Sequence, residues 1–196
     1  MTWVPLLNGR PKPYRLKDFL AREKYREDYR RVAEFLLERL DFESVMDVGC
    51  GNGFLLQPLA AAGKRVAGVD HSAEVVQVLP PDLVAAVQVG DFAQANSHWD
   101  LVCCIEVAEH LPPERSEDLV AALVRMARRW IYFSAAPPGQ AGRGHINCRP
   151  ADDWLTWFAT RGWHPDDIAT ESLRQALARL ADAYWLRDNG IVLRPQ

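Results

Sequence analysis

Between residues 16 and 40, apolar positions recur every three or four residues: Leu16, Phe19, Leu20, Val32, Phe35, Leu36 and Leu40. That spacing lines one face of a helix and predicts a helix over the whole stretch. Beyond it, strand-like and helix-like segments alternate. Residues 44–48 form a short apolar run ending in glycines, which predicts a first strand. Residues 54–62 read as a helix stopped by Gly63, with Pro58 near its first turn, where a missing N–H costs least. A second strand over 65–69 and a short helix over 73–79, ended by Pro80–Pro81, follow. The third and fourth strands are expected at 85–89 and 101–105, and the fourth is apolar throughout, as a strand buried on both faces should be.

The alternation continues with a helix over 114–128, a strand over 130–134, a helix over 151–160 and a sixth strand beginning at 162–164. Leu173, Leu177, Leu180 and Tyr184 mark a long amphipathic helix, and residues 191–194 a last strand. This order implies an α/β, doubly wound, mostly parallel seven-stranded sheet with helices on both faces. Residues 1–15, with Pro5, Pro11, Pro13 and Asn8–Gly9, read as an irregular arm, and the Pro/Gly-rich stretch 136–147 as a long functional loop.

The chain has 196 residues, enough for one domain and too few for two. Within it, 1–40 is expected to be an arm and cap helix, 41–165 the ligand-binding core, and 166–196 a C-terminal helix and last strand. A net charge of −3 argues against a nucleic-acid surface. Yet residues 12–31 hold eight basic and four acidic side chains, read mainly as a solvated helix face with mixed ion pairs. Cys50, Cys103, Cys104 and Cys148 show no CxxC spacing, so neither zinc ligation nor a disulfide framework is suggested. With no signal peptide and no apolar run of membrane-spanning length, the cytoplasm is the expected compartment.

The chemistry concentrates at strand ends. Val45-Met46-Asp47-Val48-Gly49-Cys50-Gly51-Asn52-Gly53 joins a strand to a helix, and its glycines let a ligand lie on the main chain. A negative charge at Asp47 is ill placed for a phosphate and well placed for a cationic ligand end. Asp70, with His71 beside it, ends the second strand, where a carboxylate can take both hydroxyls of a ribose. Asp91 ends the third strand and suits an adenine amine, with Phe92 against the ring. Ile105 and Glu106 end the fourth. A dinucleotide loop would want a small residue three positions after Gly51, and Phe54 stands there instead.

From Val45 to Pro113 these motifs resemble, in order and spacing, class I S-adenosylmethionine-dependent methyltransferases. The resemblance implies Asp47, Gly49, Cys50, Gly51 and Gly53 at the methionine end. It implies Asp70 and His71 at the ribose, Asp91 and Phe92 at the adenine, and Ile105–Glu106 beside the sulfonium. It also implies a last strand running antiparallel.

Such an enzyme must orient its acceptor and often remove a proton. His145, in the glycine loop at the cofactor end of the sheet, is the first candidate for that role, then His110, with Glu106 adjacent. The expected reaction is O-methylation of a small polar molecule, sugar or secondary metabolite by a monomer or homodimer, with no metal assigned. Glu106, Glu109, His110 and His145 also resemble the two-Glu, two-His metal set of small-RNA 3′-terminal 2′-O-methyltransferases. The spacing of the last histidine, the missing RNA-binding domain and the negative charge depart from that family. A non-catalytic partner subunit of the same fold is the remaining alternative. Among the aromatics, Tyr25 and Tyr29 are candidates for a substrate pocket.

Overall fold

A computed structural model describes residues 14–180 and 182–196. Residues 1–13, which include nearly all of the expected irregular arm, lie outside the described residues.

Seven strands form one sheet in the order β3-β2-β1-β4-β5-β7-β6. They are β1 (Ser44–Val48), β2 (Arg65–Asp70), β3 (Val87–Val89), β4 (Trp99–Ile105), β5 (Ala127–Ser134), β6 (Trp163–Pro165) and β7 (Ile191–Pro195). Strands β1 to β5 pair in parallel, while β7 runs antiparallel to both β5 and β6. The strand order reverses at β1 and β4, and the glycine turn after β1 sits at that switch, where open α/β sheets bind ligands.

Alternation along each strand divides the core into two layers. Val45, Leu101, Cys103, Ile105, Tyr132 and Val192 pack under α2 (Arg26–Arg39), α3 (Leu56–Ala61) and α6 (Asp167–Ala176). Met46, Val48, Val102, Cys104, Ile131, Phe133 and Leu193 pack under α4 (Ser116–Met126) and α5 (Ala151–Ala159). Neighbouring Cys103 and Cys104 thus face opposite layers and serve as small packing residues. All four cysteines are free. No helix among the described residues is long and apolar enough to cross a membrane.

Two expected helices are broken, and the short one expected over 73–79 is a 3-10 turn, Ala73–Gln77. The predicted helix over 16–40 is three pieces: α1 (Leu16–Leu20), a 3-10 turn Glu23–Tyr25, and α2. Tertiary contacts make the break, because Asn52 donates to the Phe19 carbonyl at 3.1 Å and draws α1 onto the glycine turn. The long helix expected across 173–186 ends at Ala176, and a short α7 (Trp185–Asp188) follows. Here buried Asp28 of α2 accepts the backbone N–H groups of Asp182 and Ala183 at 3.0 and 2.7 Å, pulling the chain off the helical path. The basic stretch behaves as a solvated face: Arg26 pairs with Glu23, Arg30 with Glu27 and Glu34, and Arg31 with Glu27.

Candidate functional site

A cleft opens at the carboxyl ends of β1, β2, β3 and β4. Asp47, Gly49, Cys50, Gly51, Asp70, His71, Asp91, Phe92, Ile105, Glu106 and His110 all line it. Two predicted residues do not. Gly53, with φ +71°, packs toward Leu79 and Leu83 and shapes the turn instead. His145 stands behind His110, its ring centroid 5.0 Å from that of His110 at an interplanar angle of 75°.

The glycine turn is internally bonded. The amides of Gly49 and Cys50 reach the Val69 carbonyl at 2.7 and 3.3 Å, and that of Gly53 the Cys50 carbonyl at 2.9 Å. The Gly51 amide donates to Asp70 Oδ2 at 3.0 Å. A phosphate-binding loop aims these same groups at its anion. Their use within the turn leaves these four amides unavailable to an anion. Gly49 is required twice over: φ is +77°, and a Cβ would lie 2.3 Å from Val107 Cγ2.

The acids differ in state. Burial, and then the charge of Asp70, pushes the Asp47 carboxyl up to about 8. Asp70 is raised by its own burial, against the Ser72 and Gly51 amides that hold its charged form. Asp70 therefore already orders the loop, with one lone pair on each oxygen left for a ligand. Burial also works against Asp91, but Arg115 and the Ala93 amide hold it below its ordinary value. Arg115 Nη2 contacts both Asp91 oxygens at 3.0 and 3.1 Å, and its guanidinium lies 4.9 Å from the Phe92 ring centroid.

Glu106 occupies a left-handed backbone conformation, φ +53°, unusual for a residue with a side chain. It is over-determined: its amide bonds Ser134 at 3.1 Å, Asn189 donates to Oε1 at 3.0 Å, and Gln140 to Oε2 at 3.0 Å. Strain held this firmly is characteristic of functional sites.

The remaining wall comes from segments the motifs did not point to. Tyr14, Phe19, Arg22 and Tyr29 line the cleft from the N-terminal side, with Asn52, Phe54 and Arg115. Tyr29 lines it as expected, whereas Tyr25 stacks edge-on against Trp185 with ring centroids 5.0 Å apart. Burial opposes the Arg22 charge, yet Tyr29 and Tyr14 raise its pKa overall. Beyond Tyr29, the sequence signal for this wall was the basic run, in which Arg22 is indistinguishable from its solvated neighbours. The loop after β5 closes over it: Arg143 pairs with Asp18 of α1, and Tyr14 packs edge-on to His110 with centroids 6.1 Å apart.

A family model described as a methyltransferase domain matches residues 21–131. The ubiquinone biosynthesis O-methyltransferase of Thiobacillus denitrificans is 29% identical over 150 residues, 71% of this chain and 62% of that protein. Its counterpart in Methylococcus capsulatus is 30% identical over 159 residues, 76% of this chain and 62% of that protein. The chain thus spans about three fifths of the length of these two relatives. Among solved structures, magnesium protoporphyrin IX methyltransferase from Synechocystis, with S-adenosylhomocysteine bound, aligns with a TM-score of 0.64 and 21% identity. That alignment covers 94% of this chain and 88% of that one. An amino pentose methyltransferase from Micromonospora echinaspora, with S-adenosylmethionine bound, aligns at 0.67 and 14% identity over 95% and 99% of the two chains. At those identities the likeness is one of fold.

Proposed function

The chain belongs to the methyltransferase-domain family of class I S-adenosylmethionine-dependent enzymes, and from that premise we propose that it transfers the methyl group to an oxygen of a small hydroxylated molecule. The observation that carries the cofactor half of this reading is Asp47. A buried carboxyl pushed up to about 8 beside a second buried acid is a site short of a cation. The amino group of the methionine moiety supplies one. Gly49 and Gly51 let that end lie against the main chain, and we assign its carboxylate to Arg22. Asp70 takes the ribose hydroxyls with its free lone pairs. Phe92 flanks the adenine, with Arg115 closing over it, and Asp91 is the acceptor for the adenine amine.

When bound, the cofactor supplies an electrophilic methyl carbon on a sulfonium. The protein's part is to orient the acceptor and keep water out. Glu106, rigid at the tip of β4, and Ile105 border the reacting position. Of the two histidines expected on the acceptor side, His110 faces the cleft and His145 supports it from behind. An oxygen acceptor is favoured by the two O-methyltransferase relatives named above. Four free thiols and the small acceptor suit the cytoplasm.

The test is calorimetric titration with S-adenosylhomocysteine, followed by transfer of labelled methyl to a panel of phenols, sugars, hydroxy acids, amines and carbon acids. We expect micromolar binding and turnover on at least one hydroxylated acceptor. No binding sinks the cofactor assignment, and turnover confined to amines or carbon acids sinks the oxygen assignment.

A further inference from the structure

We propose that Gln140 and Asn189 are positioning residues that hold Glu106 as the ionised counter-charge to the sulfonium, so that the cleft prefers S-adenosylmethionine to S-adenosylhomocysteine. This rests on the cofactor assignment made above and adds to it a discrimination between methyl donor and product.

The side chains of Glu106, Gln140 and Asn189 close a ring of hydrogen bonds. Asn189 Nδ2 donates to Glu106 Oε1 at 3.0 Å and to Gln140 Oε1 at 2.9 Å. Gln140 Nε2 donates to Glu106 Oε2 at 3.0 Å. An amide oxygen cannot donate, so turning either amide over would set one acceptor against another. Only with both nitrogens toward Glu106 is every contact a donor–acceptor pair. Bonds of that kind favour the charged carboxylate. The neighbouring Glu109 carboxyl is fully buried, and its burial, then the charge of Glu106, holds it well above its ordinary value. Glu109 therefore keeps its proton, and the negative charge of the two rests on Glu106.

Two separate segments supply the amides. Gln140 lies in the loop after β5, where its backbone N–H donates to the Pro137 carbonyl at 3.1 Å. Asn189 follows α7, with its backbone N–H on the Trp185 carbonyl at 2.9 Å. Gly190 comes next, and a Cβ there would lie 2.5 Å from the Leu186 carbonyl oxygen and 2.7 Å from Leu173 Cδ2. The bare backbone thus lets the chain pass close under α7 with Asn189 aimed at Glu106. Glu106 lines the cleft, and the two amides stand behind it.

Charge matching assigns Glu106 its partner. Four carboxyls line the cleft, Asp47, Asp70, Asp91 and Glu106, with the guanidiniums of Arg22 and Arg115. Asp91 and Arg115 pair with each other. Asp47 and Arg22 match the two ends of the methionine moiety, whose charges cancel. Asp70 meets neutral hydroxyls and already accepts the Gly51 and Ser72 amides. His110, lowered to about 4 by burial and then by His145, brings no positive charge. Glu106 remains, beside the reacting position, and the sulfonium is the one cofactor charge still unmatched. S-adenosylhomocysteine is neutral at that sulfur, so an ionised Glu106 favours the methyl donor over the product.

The test is calorimetric titration of the parent protein, Glu106→Gln, Asn189→Leu and Gln140→Met with each of the two ligands in one buffer. In the parent protein we expect S-adenosylmethionine to bind about 10-fold more tightly than S-adenosylhomocysteine, as for one partly buried charge pair. Glu106→Gln should bring that ratio close to one. Asn189→Leu and Gln140→Met should each lower it about 3-fold or more, by leaving a buried carboxylate oxygen without its donor. The loss should fall on S-adenosylmethionine, with S-adenosylhomocysteine little changed. Circular dichroism confirms the fold of each variant, and should one amide variant fail to fold, the other decides. Amide variants that weaken both ligands alike, or leave the ratio unchanged, overturn the proposal. A parent protein that binds both ligands equally sinks this inference alone, whereas one that binds neither sinks the cofactor assignment and this inference with it.

Discussion

The two walls of the cleft are built in different ways. The cofactor wall lies at the ends of β1, β2, β3 and β4, where parallel pairing fixes main-chain positions before any side chain is considered. Its residues sit in short local motifs. The acceptor wall is gathered from three distant segments: α1 and the turn after it, the turn containing Glu109 and His110, and the loop that holds Gly142 and His145. Nothing in the sheet register forces those segments together. Other contacts do: Asn52 to the Phe19 carbonyl, Arg143 to Asp18, the carbonyls of Gln140 and Gly144 to the two histidines, and the Ile146 and Asn147 amides to the Glu109 carbonyl. The first wall should therefore fail sharply when its backbone is disturbed, and the second should fail by degrees.

The sharpest break is expected at Gly49. Gly49→Ala meets Val107 Cγ2 at 2.3 Å and forces a side chain into a left-handed backbone. We expect S-adenosylhomocysteine affinity to fall at least 100-fold by calorimetry. The added substitution Val107→Ala removes the clash but leaves the backbone cost, on the order of 1–2 kcal/mol. Recovery in the double variant should thus be partial. Full recovery would mean that the turn tolerates the side chain and that main-chain rigidity does not define this wall.

Asp47→Asn comes next and has opposite effects on affinity and stability. The folded carboxyl titrates near 8, above its ordinary 3.8. A carboxyl raised in the folded state destabilises progressively as pH rises from the unfolded to the folded value. The asparagine variant, free of that charge, should gain on the parent protein between about pH 4 and pH 8, by a few kcal/mol at most, and no further above it. Denaturant midpoints across that range check the sign. Cofactor affinity should instead drop about 10- to 100-fold, as for a lost charged partner worth ~1.5–3 kcal/mol. In the parent protein, binding below pH 8 should release a proton, seen as a dependence of the calorimetric heat on buffer.

How much of each wall could be read from the sequence follows the same division. Strand ends are legible because an apolar run, a turn and an acid are adjacent in the chain, so Asp47, Asp70, Asp91 and Glu106 all reach the cleft. Arg22 was hidden by its neighbours: eight basic residues in one stretch look alike until packing turns one inward. Gly53 stands against Leu79 and Leu83, and a glycine required by such packing reads the same in a sequence as one required by a ligand. His145 appeared as a free loop residue, since no local signal reveals that the Gln140 carbonyl holds it beside His110. The broken helices at 16–40 and 173–186 contain neither Pro nor Gly; they end where Asn52 and Asp28 bind backbone from another element, which periodicity does not encode.

Arg115→Ala probes the seam between the walls. Its guanidinium pairs with Asp91 and lies over Phe92, with both partners of the ion pair about one third exposed. The pair itself is worth no more than about 1 kcal/mol at such exposure. Loss of the cover over Phe92 should weaken S-adenosylhomocysteine about 3- to 10-fold, and the Asp91 carboxyl should rise toward its ordinary value. A hundredfold loss would make Arg115 part of the rigid wall.

The smallest effect is expected at Arg143, and it most directly tests whether the acceptor wall fails by degrees. Arg143 joins the loop to Asp18 of α1, with 40% of its own side chain exposed and 12% of its partner's. A pair this open contributes less than about 1 kcal/mol and is screened by salt. Arg143→Ala should leave the denaturation midpoint almost unchanged. It should raise the dissociation rate of S-adenosylhomocysteine only a few-fold at low ionic strength and by nothing measurable near 1 M salt. The remaining ties, through the Phe19 carbonyl and the two histidines, do not depend on that charge and keep the wall assembled. A salt-independent loss of binding would instead mean that the loop and α1 close as one unit, and that the acceptor wall is as cooperative as the cofactor wall it faces.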